Sequence, residues 1–415
     1  MNRFLWLPIL FVLLMPTSDV RACPFCSAQG TTFSGEVSTA HFIVVGTVTG
    51  ARHDPRDFSK GTTDVTIETV VKPNEWLAGR KVLTIPRFIP PDADGKPIKM
   101  LLFCELHTAA MYTAAAGVIG APLLADPRIV VLDAYRGEQL GAESKLADYL
   151  KGAFEVRSKD AATRLRYFFD YLDNAELQVS VDALNEFASA DYVDVRPTAE
   201  KLPAAKVLSW IKSPGTPQSR LGLYGLILGH CGSKADAAEL RALLDKNDNQ
   251  FAGGLDGILA AYVMLDHAEG WKYLKQLLAD PKADQSIRYA VLKVFRFFWD
   301  YRSDLVPKEM LLDGMKRIVL MPEMADLAID DLRKWSRWDQ TDLILGLTDA
   351  KDHMKEAMNR RAILKFALAT PSEKLKAKEY VAKIRKEDPD RVKYVEQALQ
   401  DEITPLPPKP TAKKQ

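Results

Sequence analysis

The 415-residue sequence predicts an α+β chain of several domains, with a small β-rich domain followed by a longer helical repeat domain. Three observations predict it. Met1-Asn2-Arg3 and the apolar run Phe4–Met15 lead to Val20-Arg21-Ala22 directly before Cys23, the layout of a cleaved secretory signal. From about Phe42 apolar residues alternate as they do along strands. From about Glu143 they recur at about 3.6 residues, the period of helices. The division that follows is 1–22 signal peptide, 23–142 β-rich domain, 143–402 helical repeats and 403–415 disordered Pro/Lys tail.

Val20 and Ala22 suit signal peptidase, so the mature chain is expected to start at Cys23, in the periplasm or outside the cell. A second reading is a bacterial lipoprotein acylated at Cys23. Arg21 and the polar stretch from Thr17 fit that reading poorly. No later segment reaches the roughly 20 apolar residues of a membrane span, so no transmembrane segment is expected in the mature chain. Lys plus Arg number 56 against 55 Asp plus Glu. That balance argues against a nucleic-acid partner, which would call for a basic excess.

In the β-rich domain, His41–Val48 is β-branched and too short for a helix, and the polar stretch Asp54–Gly61 reads as a loop. Asp64–Val71 alternates as a half-buried strand, and Lys81–Pro86 is a third strand closed by proline. Asp92-Ala93-Asp94-Gly95 is a plain turn, because the downstream acidic ligand of a calcium loop is missing. Lys99–Leu106 is a fourth strand. The Ala/Gly-rich segment Thr108–Leu124 is a helical insertion or a packing loop, Ile129–Leu132 returns to a strand, and Tyr135-Arg136-Gly137 and Gly141 mark the boundary.

A cysteine at the mature N-terminus, the strand Ile43-Val44-Val45-Gly46-Thr47-Val48, and Cys104 in a later strand carry a resemblance. The domain resembles netrin-like domains of the metalloproteinase-inhibitor type, which implies a small five-stranded β-barrel of the OB class. Cys23-Pro24-Phe25-Cys26 departs from the Cys-x-Cys start of that family, and the cysteines are too few for its usual pairing. The resemblance therefore implies the fold and not the inhibitory activity.

In the second domain, helices are expected to open near Leu221, Leu255, Ile287, Leu327 and Ile363, roughly 32–40 residues apart. Arg220–Leu228 with Ala235–Leu244, and Leu255–Leu265 with Gly270–Leu278, are the clearest pairs. Such a spacing marks stacked helix pairs, since a lone pair cannot bury its apolar face. Arg166-Tyr167-Phe168-Phe169-Asp170-Tyr171 returns as Arg296-Phe297-Phe298-Trp299-Asp300-Tyr301; aromatics at this spacing read as interhelix packing, with a peptide-binding groove as the alternative. The units are similar to HEAT repeats, especially in the Asp280-Pro281 ending, which implies an α-solenoid. The charge-rich segment Glu373–Asp401 is a capping unit, and the prolines from Pro405 onward exclude a helix.

The residues most able to carry chemistry are Cys23, Cys26, Cys104 and His107, a CxxC and a CxxH with the ligand types that tetrahedral zinc prefers. In an exported chain, a disulfide among Cys23, Cys26 and Cys104 is the plainer reading. His107 is expected to face away from Cys104 on an alternating strand. A thioredoxin-like role lacks the strand before the motif, and haem attachment lacks the following histidine. His230-Cys231 has no flanking signature of a nucleophile and reads as a buried helix end. Trp335 and Trp338, sharing a helix face beside Arg333 and Arg337, are the best surface candidates for recognition, with core packing the plainer reading. No zinc-protease, phosphate-loop, nucleophile-elbow or dinucleotide motif occurs.

The expectation is an exported, non-enzymatic interaction protein with no cofactor, whose repeats meet a protein partner. The alternatives are a thiol-redox or zinc protein built on Cys23, Cys26 and Cys104, and an extracellular protease inhibitor.

Overall fold

The computed structural model describes residues 24–25, 31–55, 57–90, 92, 94–108, 130–246, 251 and 253–403. Five strands, β1 (Phe42–Asp54), β2 (Asp57–Lys72), β3 (Val82–Ile85), β4 (Lys99–Thr108) and β5 (Val130–Gln139), form one sheet in the order β3-β2-β1-β4-β5. Every pairing is antiparallel. Among the described residues no ladder joins the edge strands β3 and β5, so the sheet is open and the expected barrel does not close. With only four residues, β3 is too short an edge for a closing ladder.

Two further expectations are corrected. The polar stretch after Asp54 is not a long loop: β2 resumes at Asp57, and Thr62 and Gly61 pair with Arg52 and His53. Polar residues suit this end of the hairpin because it faces water, where Arg52 meets Asp64 at 2.7 Å. Tyr135-Arg136-Gly137 lies within β5 rather than at a boundary, since Arg136 is held there by Glu36 at 2.6 Å and lies over the Phe33 ring. The turn before β4 forms as expected, with Gly95 at φ +68° and its N–H donating to the Asp92 carbonyl at 2.9 Å. The segment Thr108–Leu124 lies, beyond Thr108, outside the described residues.

Phe42-Ile43-Val44-Val45 is a continuous apolar run because both faces of the sheet are covered. Phe42, Val44, Val65, Leu83, Leu102 and Cys104 form a core on one face. Ile43, Val45, Val71, Leu101 and Phe103 face the other way and share a single core with the helices. The joint is made by α1 (Phe33–Thr39), which the sequence did not suggest, and by α2 (Leu146–Val156), α3 (Ala161–Phe169) and α4 (Leu177–Ser189). Asp182 on α4 accepts from the backbone N–H groups of Phe33 and Ser34, at 2.5 and 3.2 Å, and from the hydroxyls of Ser34 and Tyr149, at 2.5 and 2.8 Å. A buried carboxylate needs such partners.

The helices continue as α5 (Tyr192–Ala199), α6 (Ala204–Lys212), α7 (Gln218–Cys231), α8 (Lys234–Leu244), α9 (Leu255–Leu265), α10 (His267–Ala279), α11 (Gln285–Tyr301) and α12 (Lys308–Val319). They end with α13 (Ala325–Lys334), α14 (Thr341–Gly346), α15 (Lys351–Lys355), α16 (Ala357–Ala369), α17 (Leu375–Glu387) and α18 (Pro389–Ile403). Side chains cap several starts: Asp160 opens α3, Asp266 opens α10, and Ser233 with Asp236 forms a capping box on α8. No helix among the described residues is long and apolar enough to cross a membrane.

Two helices are buried all round, α7 from Arg220 to Leu228 and α9 from Asp256 to Met264. They meet backbone to backbone. A Cβ on Gly225 would lie 2.5 Å from the Gly257 carbonyl, and one on Gly257 would lie 2.2 Å from the Gly222 carbonyl oxygen. Next to this pair, Lys293 of α11 is ion-paired with the buried Asp256 of α9, and Arg296 with Asp331 of α13 at 2.7 Å. Asn359 of α16 accepts from the Asp326 N–H at 2.9 Å and donates to the Pro322 carbonyl at 2.8 Å.

Gly257→Ala is expected to destabilise the protein by about 1–3 kcal/mol through overpacking, although alanine is favoured over glycine in an open helix by about 1 kcal/mol. Gly346→Ala, whose Cβ would meet nothing within 4 Å, should be neutral or slightly stabilising. Denaturant unfolding of both variants checks the pair of signs.

Candidate functional site

The cysteine–histidine set does not assemble on β4. Cys104 points into the outer core of the sheet and is fully buried, whereas His107 is on the opposite side, paired with Glu105 at 3.2 Å. Alternation along the strand separates them, as expected. Cys23 and Cys26 lie outside the described residues. Phe25, between them in sequence, enters the core shared by the helices, a different core from the one Cys104 faces. Cys104 is a free thiol, and burial, with Asp133 nearby, pushes its pKa up to about 12. Among the described residues no group of three or more His, Cys, Asp or Glu side chains is gathered to hold a metal.

The tryptophan–arginine set is corrected in its geometry. The helix ends at Lys334, and Ser336 takes a left-handed φ of 56°, so Trp335 and Trp338 do not share a helix face. Trp335 stacks on Trp299 with centroids 4.1 Å apart, and Trp338 meets the Phe366 ring at 5.2 Å. Arg333 bonds to Asp330 and Glu402 at 2.8 and 2.7 Å, and Arg337 to Asp339. These side chains tie α13 to its neighbours.

A different constellation gathers where α5, α7 and α11 converge, and the sequence reading had treated its parts separately. The Phe25 ring lies 4.9 Å from that of Phe297. Its carbonyl oxygen fills the space over Gly222, where a Cβ would approach to 2.6 Å. Phe297 is set edge-on against Tyr192, which also packs on Tyr301 at 4.7 Å. The Tyr192 hydroxyl and His230 Nε2 are 3.0 Å apart. Arg302, almost fully buried, bonds to Asp304 at 2.9 Å, and Arg196 lies beside the same carboxylate. The second aromatic echo motif therefore builds a seat, and Phe25 occupies it.

The electrostatics suit binding better than proton transfer. Burial, then the positive field of Arg302 and Arg196, pushes the His230 imidazole down to about 3, so it stays neutral near pH 7. Burial pushes the neighbouring Cys231 thiol up to about 11, so it is protonated there and a weak nucleophile. The pair sits at the end of α7, as the sequence suggested.

A depressed histidine pKa makes stability depend on pH. The unfolded chain takes up a proton near pH 6.5 and the folded state does not. The stability from neutral His230 is therefore complete above about pH 6.5 and is lost as pH falls toward 3, with a slope of up to about 1.4 kcal/mol per pH unit. His230→Gln should flatten the stability profile between about pH 5 and 6.5 relative to the parent, as measured by denaturant unfolding across that range. No family model, curated protein or solved structure matches the chain.

Proposed function

We propose that the chain is an exported, non-catalytic interaction protein. Its helical region is an α-solenoid of HEAT-like repeats that meets a protein partner, and its N-terminal five-stranded sheet is a second contact module. The observation that carries this reading is a series of polar side chains that tie successive alternate helices together. Arg220 of α7 donates to Ser180 of α4 at 2.8 Å, Lys293 of α11 pairs with Asp256 of α9, and Asp331 of α13 accepts from Arg296 of α11. Helix pairs that stack on their neighbours in this way present an extended surface. Export rests on the Phe4–Met15 run and Val20-Arg21-Ala22. Against the thiol and zinc alternatives stand the protonated Cys104 and its separation from His107.

Native mass spectrometry of the chain exported through its own N-terminal segment tests the proposal, with and without extracytoplasmic extract. The expected result is a mature, metal-free chain that gains the mass of one protein partner, with the buried Cys104 alkylated only after unfolding. Stoichiometric zinc, or rapid alkylation of Cys104 in the folded protein, would overturn it.

A further inference from the structure

The seat at α5, α7 and α11 is filled by a residue that belongs to no helix or strand. Phe25 is almost fully buried, and it precedes by eight residues Phe33, whose N–H is held by Asp182 of α4. Thr32 donates to Glu186 on the same helix at 2.5 Å. Among the described residues, Phe25 and Thr32–Ser34 both hold to the same helical body, Phe25 through its ring and its carbonyl. The walls against Phe25 are the Phe297 ring, itself backed by Tyr192, and the bare backbone at Gly222. Those features describe a seat for an extended peptide with one aromatic anchor: a ring to pack against and a main-chain surface close enough for the peptide backbone.

We infer that this seat is a binding site for extended peptide segments bearing an aromatic residue, and that Pro24-Phe25 is a built-in strap that occupies it. The inference deepens the interaction reading above and rests on it. A tethered strap competes at an effective concentration on the order of millimolar. An outside peptide that binds the open seat at roughly 0.1 mM would therefore appear about tenfold weaker on the strapped protein.

The test uses the full chain and a peptide of sequence 23–30 carrying Cys23→Ser and Cys26→Ser. Titration calorimetry should detect binding of this peptide to Phe25→Ala and at least tenfold weaker binding to the parent protein. The same peptide with Phe25→Ala should bind neither. If Phe25→Ala does not fold, as judged by circular dichroism and cooperative unfolding, Phe25→Leu takes its place, since a smaller apolar anchor leaves a weaker strap. A folded variant that fails to bind the peptide, or a parent protein that binds it equally well, overturns the inference. Partner capture by the parent protein is read separately, so failure of the strap is distinguishable from failure of the interaction reading.

Discussion

Helices that meet through glycine have no side chains to adjust at the contact, and α7 and α9 meet in this way at Gly222, Gly225 and Gly257. Glycine weakens each helix by about 1 kcal/mol per residue relative to alanine. The close approach offsets that cost by letting both helices bury every side, leaving no exposed face for a conventional amphipathic pattern. Other contacts take their positions from this pair. Asp256 on α9 fixes α11 through Lys293, Arg220 on α7 reaches back to α4, and the missing Cβ of Gly222 admits Phe25. The glycines therefore set the spacing at which the sheet-bearing half and the later helices can share one core.

Buried polar groups in this molecule act as ties between elements. Arg220 donates to the Leu172 carbonyl and to Ser180, and Asn359 satisfies the Asp326 N–H at the start of α13 and the Pro322 carbonyl in the turn before it with its two amide atoms. Asp182 is the densest case: burial raises its pKa, and the four hydrogen bonds it accepts oppose that rise. Pairing of this kind adds less to stability than apolar packing of the same volume, but an unpaired partner would be costly. What it supplies is register, because a helix shifted by one turn would strand a charge. His230 and Cys231 are poor reagents for a related reason: both are half-buried groups at a helix end that stay neutral near pH 7.

Much of this fold is legible in the sequence, for a reason that also limits the reading. Periodicity reports which faces are buried, so the strands starting at Phe42 and Lys99 and the helices at Gln218, Leu255 and Gln285 stand close to their expected places. It does not report which buried face meets which. The open sheet hangs on the length of β3, and α1 escaped notice because seven residues with one buried valine carry no period. The spacing of Gly222, Gly225 and Gly229 on one face of α7 was readable, as was its counterpart at Gly254 and Gly257. The two tryptophans pack on other aromatics, the plainer of their two readings, but they share no helix face because the helix stops at Lys334 and Ser336 is left-handed. Of the seat, only the aromatic echo was visible; that Phe25 fills it is a contact spanning more than 270 residues, beyond the reach of any local pattern.

That long span also constrains the order in which the structure can be completed. The walls against Phe25 come from Gly222 of α7 and Phe297 of α11, so the seat needs both helices in place. The loop-closure entropy of a contact between residues 25 and 297 grows only slowly with length, and most of it is already spent once Ile43, Val45 and Phe103 join the helical core. Docking of Phe25 is then a local step of a few residues, made from the fixed point where Asp182 holds Phe33 and Ser34. The sheet thus brings the start of the chain to the helices, and the helices provide its last contact.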